Sequence, residues 1–405
     1  MSIRASYGLA YDTLTADFYT TFISPPWTTS IIVPNPPTFE NPWSAYPGGN
    51  PFPIAKIDAN IKFQPSGNYF VVPRDPAPTQ RHSWNLSIQK QLGTDWLLST
   101  SYIGNHAVHV WSAHELNPGI YLPGASCTLN GVTYNPCSTT ANRDARRRLA
   151  LSYPNVGGTP VAFVDQYEAG ATQSYNGLLL SVQRRAAKGV IVAANYTFSH
   201  CLTDWSASQT GGGGTPGSTY QDPNNRHFDR GNCDVDRRHI FNTTVVATTP
   251  RFSNDVVRKL GSGWRLSGIY RQSSGSPINI TSGVDIALNG VQNQRPQQIL
   301  GSAYGDKSLT HFLNPAAFAL PALGTLGNMG RNTQFGPGIW GLDTALSRVF
   351  NLHEAQTMEA RIEAFNVTNS LHALNPNTVF NTGIFGQINT AADPRLLQFS
   401  LKYIF

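Results

Sequence analysis

The chain has 405 residues, a formal charge of +6 and a pI near 9.1, enough for one large domain or roughly two to three ordinary ones. Charged residues are 13%, about half the ~25% usual in a soluble domain, while hydrophobic residues are only 40% and mean hydropathy is -0.26. This balance excludes a charged cytosolic globule and a helical membrane protein. No stretch approaches the roughly 18 consecutive apolar residues of a spanning helix, so membrane residence means a β-barrel.

Taken from the start, Met1 to Asp12 has no apolar core of a signal peptide and already alternates like a strand. An outer-membrane protein has to be exported, so the chain reads as a fragment or a mis-started product that begins mid-barrel; the bland alternative is a cytosolic β protein that needs no signal. Strands are expected near 2–12, 82–92, 95–104, 107–112, 174–185, 189–200, 238–248, 263–272, 340–351, 356–367 and 395–405. Val190, Val192, Ala194, Tyr196 and Phe198 alternate with Ala193, Asn195, Thr197 and Ser199, and Met358, Ala360, Ile362 and Ala364 alternate with Glu359, Arg361 and Glu363. Successive strand residues face opposite ways, so lipid on one side and water on the other accounts for both patterns.

The final strand is the clearest. Leu397, Phe399, Leu401, Tyr403 and Phe405 fall on one face, and Gln398, Ser400 and Lys402 on the other. Soluble sandwiches alternate too, but their strands average about five or six residues, whereas these have the roughly 9 to 11 of a membrane strand. Tyr7, Tyr11, Trp84, Trp96, Tyr102, Trp264, Tyr270, Trp340, Phe350 and Tyr403 lie towards strand ends, as aromatic girdles require.

Connections are unequal. Gln91 to Asp95 and Arg185 to Gly189 are tight turns, whereas 13–81, 113–173, 201–237 and 282–339 are long and rich in Pro, Gly, Asn and Ser. Long loops on one side are where ligand contacts are expected. Cys127 and Cys137 bracket Asn130-Gly131 and are candidates for a hairpin disulfide; Cys201 and Cys233 flank the glycine-rich run Gly211 to Gly214 and are candidates for a second. Neither pair has zinc-like spacing, and the basic clusters Arg146 to Arg148, Arg184-Arg185 and Arg237-Arg238 are too dispersed for nucleic acid. The block Asp229 to His239 offers acid, base and ligand types, yet it runs into a strand and reads as an ion-paired rim with Arg230, Arg237 and Arg238. Glu359, Arg361 and Glu363 read as a lumen-facing charged ladder. A hydrolase has no positive support without a Gly-x-Ser-x-Gly or His-Glu-x-x-His motif, so no catalytic residue, cofactor or metal is expected.

Several blocks, in shared order, resemble one family. They include Arg4 to Asp12, Trp84 to Leu92, Ser101 to Asn105, Glu115 to Pro118, Tyr175 to Arg185, Ala194 to Ser199, Asp229 to His239, Arg361 to Asn369 and the final strand. The chain is similar to the C-terminal barrel of TonB-dependent outer-membrane receptors, the Oar-like group. That resemblance implies an all-β antiparallel transmembrane barrel, residues 1–405 forming the C-terminal part of about 22 strands, with the signal, regulatory-like domain, plug and first strands absent. It also implies a location in the bacterial outer membrane, import of an extracellular ligand such as a peptide or glycan, and contact with lipid or lipopolysaccharide. Recognition of Phe399, Leu401, Tyr403 and Phe405 by the barrel-assembly machinery follows from it, as does coupling to the TonB complex if the N-terminal part is present. A structural or adhesive surface barrel fits the same loops, and a secreted carbohydrate-binding or hydrolytic β protein is a third reading.

Overall fold

The computed structural model describes the chain except for residues 13–29, 32, 34–35, 53–66, 72, 154–160, 206–216 and 354–355; the glycine run 211–214 thus lies outside the described residues. Ten long strands form one sheet among the described residues. They are β1 (Ser2–Tyr11), β2 (Gln80–Leu92), β3 (Trp96–Glu115), β4 (Val164–Ala187), β5 (Val190–Thr203), β6 (His239–Thr248), β7 (Trp264–Ser273), β8 (Ile339–His353), β9 (Gln356–Phe365) and β10 (Leu396–Ile404). Each pairs antiparallel with the next in chain order, so the sheet is an uninterrupted meander, and within it β1 and β10 have one neighbour each.

The short connections share one end of the sheet. Lys188 and Gly189 join β4 to β5 with φ of 49° and 77°, the two positive values that a type I′ hairpin turn needs. Between β6 and β7 a short helix, α1 (Asp255–Gly261), starts where the Asn254 side chain accepts hydrogen bonds from the Val256 and Val257 amides. The other end carries five long connections, including one over 366–395 that the sequence reading does not single out.

Register fixes which side chains share a face. Leu180, Tyr196 and Phe241 lie side by side across β4, β5 and β6, as do Leu266, Leu346, Ile362 and Phe399 across β7 to β10. These side chains are left open to the surroundings of the sheet: Leu346 is 39% exposed, Ile362 47% and Phe399 70%. An apolar face running across ten strands is far larger than the few hundred Å² that a water-soluble monomer exposes, so its solvent is lipid. Aromatic rows border it. Tyr270 and Trp340 lie 6.2 Å apart at the loop end, whereas Trp264 and Phe350 mark the other end with the Arg348 guanidinium over both rings. Trp340 and Phe350 are ten residues apart on β8, which is about 25 Å across a bilayer at a tilt of about 40°.

Two expectations are corrected. The spans 95–104 and 107–112 are one strand, because Gly104 is not a breaker: the Trp84 indole from β2 lies over it, where an added Cβ would sit 2.3 Å from the ring. The register slips further on, between Ala107 and Trp111, where His109 takes a φ of 57° in a β-bulge. Likewise 174–185 is only the lower half of β4. Its upper half, from Val164, lacks apolar alternation because it rises past the aromatic row and pairs with the tip of β3 among the loops.

A packed hydrophobic core lies in the connections and not in the sheet wall. Ile278, Ile280, Phe312, Leu313, Phe318 and Phe385 join the 274–338 and 366–395 segments, with Phe318 edge-on to Phe385 at 5.3 Å. The long loops therefore fold as a cap over one end of the sheet.

Candidate ligand-binding face

Buried arginines hold this cap together. Arg295 and Asp229 are 1% and 0% exposed and form an ion pair, and Arg295 also donates to the carbonyls of Met329 and Phe228. Arg331 donates to the carbonyls of Asp229 (2.8 Å) and Thr203 (2.6 Å) and pairs with Asp234, tying the 274–338 connection to β5. Burial pulls the Arg331 guanidinium below its ordinary pKa, with Asp234 and Asp229 opposing. In the 116–163 connection, Arg146 donates to Asn142 Oδ1 and the Thr139 carbonyl, and Arg147 lies 4.0 Å from the centre of the Phe163 ring. A buried charge is costly unless paired and hydrogen-bonded, so these contacts select one arrangement of the loops.

Above the aromatic row, the tips of β3 and β4 bring two carboxyls together. Glu115 Oε1 accepts from the amides of Asn117 (2.7 Å) and Val164 (3.0 Å), and Asp165 Oδ2 accepts from the Gly217 amide (3.0 Å). Burial, then the Glu115 charge, raises the Asp165 pKa well above the carboxylate range, and burial raises that of Glu115 against the pull of Arg147. Burial and the neighbouring Glu115 charge thus favour the protonated form of Asp165.

Both disulfides lie on this side: Cys127–Cys137, around a hairpin turned by Asn130 and Gly131, and Cys201–Cys233, which fastens the 204–238 connection to the end of β5. The block Asp229 to His239 is an ion-paired junction, with Arg238 on Asp236 among the expected pairs but with two further arginines that the sequence reading does not include. Arg295 and Arg331 from a distant loop hold Asp229 and Asp234; Asp236 accepts from the Cys201 amide and faces Arg238, and His239 Nδ1 meets the Tyr196 hydroxyl at 2.8 Å. Among the described residues no group of three or more histidine, cysteine or acidic side chains could hold a metal.

Two cavities open beneath the cap. One, of about 710 Å³, is bounded by Arg237, Arg271, Asp343, Trp340, Phe365 and His372 near the loop ends of β6 to β10, with Arg271 and Asp343 ion-paired. The other, of about 570 Å³, lies at the loop ends of β1 to β4. Glu359, Arg361 and Glu363 are in neither. They occupy the face of β9 opposite Ala360 and Ile362, in register with Lys402, Ser400 and Gln398, and Arg361 pairs with Glu363. Phe399, Leu401 and Tyr403 are on the apolar face, and Phe405 stacks beside Tyr403. Arg295, Arg331, Glu115 and Asp165 escape sequence reasoning because their partners are long-range; a lone arginine in a loop carries no periodic signal.

An antiparallel meander with a lipid-facing apolar surface, aromatic borders, short turns at one end and a folded polar cap at the other is the wall of an outer-membrane β-barrel. The chain belongs to the outer membrane beta barrel domain family, whose model matches residues 1–398. Among solved structures it is similar to the outer membrane transporter YddB of Escherichia coli (10% identity, TM-score 0.43, covering 84% of this chain and 34% of that one). It is also similar to the ferripyoverdine receptor of the outer membrane of Pseudomonas aeruginosa (12%, 0.36, 80% and 27%) and to the ferric-catecholate import receptor Fiu of E. coli (10%, 0.36, 81% and 28%). The chain spans about a third or less of the length of these structures. No curated protein matches it.

Proposed function

We propose that the protein is the ligand-binding wall and cap of an outer-membrane receptor of the TonB-dependent, Oar-like type, which takes up a scarce extracellular compound. One observation carries this reading: the long loops are folded around buried ion pairs and disulfides into a fixed cap with cavities beneath it, which is the preorganisation that selective binding requires. Inward passage, coupling to the TonB complex and insertion by an assembly machinery that reads the Phe399, Leu401 and Tyr403 face belong to the same proposal. Glu359, Arg361 and Glu363 then line the water-filled interior, where a charged ladder offers a polar path.

The test is retention of small molecules. Purified protein in detergent is incubated with an extracellular metabolite extract, washed, and its retained compounds are identified by mass spectrometry. A defined compound is enriched on the native protein and lost from the Cys201→Ser/Cys233→Ser variant. No enrichment over an unrelated barrel contradicts the receptor reading and favours a structural or adhesive surface role.

A further inference from the structure

The smaller cavity has a chemistry of its own. Its floor is one register row, Ala10, Arg81, Ala107 and Gln173 on β1 to β4, all on the face opposite the lipid-exposed one. Ala107 leaves space between Arg81 and Gln173, and Ala10 leaves space on the far side of Arg81. Asn105 lies two residues along β3 on the same face. Trp111, four residues beyond Ala107 and in register with Ala169, borders the space as well; the β-bulge between them at His109 is pinned by the Thr79 hydroxyl, which donates to the His109 carbonyl at 3.0 Å. Trp205, just past β5, borders it too, and its indole N–H is buried without a hydrogen-bond partner among the described residues. Asp12 supplies a carboxylate, so charges balance at one cation and one anion.

Two indoles around one cavity with guanidinium, amide and carboxylate groups suit a ligand with apolar ring faces and hydroxyls around its rim. The C–H faces of a pyranose stack on aromatic rings, and its vicinal hydroxyls match the paired donors and acceptors of Arg, Asn, Gln and Asp. A phosphorylated ligand would need an excess of cations, and a lipid chain would need an apolar lining. The volume of about 570 Å³ falls within the roughly 300–1,000 Å³ of small-molecule sites. We propose that this cavity is a saccharide subsite in which Trp111 and Trp205 stack on sugar rings and Arg81, Asn105, Gln173 and Asp12 bond their hydroxyls. The proposal rests on the receptor reading and gives that reading a substrate class, a neutral oligosaccharide.

The experiment is calorimetric titration of the purified protein in detergent with maltohexaose, cellohexaose, xylohexaose and chitohexaose, and with tetra-alanine as a peptide probe. At least one oligosaccharide binds saturably, and Trp111→Ala and Trp205→Ala each weaken it at least roughly tenfold, whereas Trp111→Phe and Trp205→Phe keep a ring face and stay within about threefold. The phenylalanine variants keep the test decisive if an alanine variant fails to fold. Binding of no oligosaccharide, binding unchanged in both alanine variants, or binding of the peptide alone overturns the proposal. A metabolite that is retained by the native protein and by both alanine variants, but not by the disulfide variant, overturns the saccharide subsite while leaving the receptor reading in place.

Discussion

Opening the Cys201–Cys233 bridge is the sharpest probe of whether the loops form a fixed cap. The two cysteines are 32 residues apart, and closing such a loop stabilises by about 4 kcal/mol, against about 3 kcal/mol for the separation of 10 between Cys127 and Cys137. Contacts around the longer bridge depend on it. Gly231 and Asn232 pair with Thr203 and Leu202, the Cys201 amide donates to Asp236, and Asn232 and Asn332 exchange side-chain-to-backbone hydrogen bonds. In Cys201→Ser/Cys233→Ser, hydrogen exchange of the segments 217–238 and 290–335 accelerates by about 10²–10³-fold while β7 to β9 exchange as before, because the sheet does not draw on this bridge. Native-like protection of both segments in the variant refutes the reasoning. So does a uniform acceleration that includes the strands.

Other outcomes follow from the same geometry. Arg295→Ala leaves the Asp229 carboxylate buried without its ion partner and costs about 3–5 kcal/mol, seen as new trypsin cleavage within the cap. Leu180→Arg places a charge on the lipid face and costs about 2–4 kcal/mol in urea unfolding from lipid vesicles, whereas Ser181→Arg, on the opposite face, costs little. Because burial and Glu115 raise the Asp165 pKa in the folded state, the stability it contributes is full below the ordinary carboxyl value of about 4 and is lost as pH rises through the raised one. Cap exchange in the native protein therefore accelerates as pH rises above about 4, after correction for intrinsic rates, and Asp165→Asn, which mimics the protonated acid, flattens that slope.

Much of the wall is legible in the sequence because lipid on one side imposes a strict period of two. Val192, Ala194, Tyr196 and Phe198 and their polar alternates read correctly from spacing alone, and so do Leu397 to Tyr403. Legibility fails where the strand leaves lipid. The upper half of β4 satisfies itself through β3 and through Arg226, whose guanidinium lies where a Cβ at Gly170 would be, so its side chains obey the cap and not a bilayer. The cap itself is opaque for a different reason: Arg295 finds Asp229 across 66 residues and Arg331 finds its carbonyl across 102, distances at which no local pattern survives. Trp111 falls inside an expected strand and alternation puts it on the face of Ala107, but the cavity it borders is closed by distant segments, Asp12 and Trp205 among them, that no local pattern brings together.

The central claim is that this sheet has one face in lipid and the other facing away from it. Single fluorophores placed in turn at 178, 179, 180, 181 and 182 of β4, in protein reconstituted with nitroxide-labelled lipid, measure this directly. The register predicts strong quenching at Leu178, Leu180 and Val182 and weak quenching at Leu179 and Ser181. Equal quenching along the segment, or none, contradicts the account.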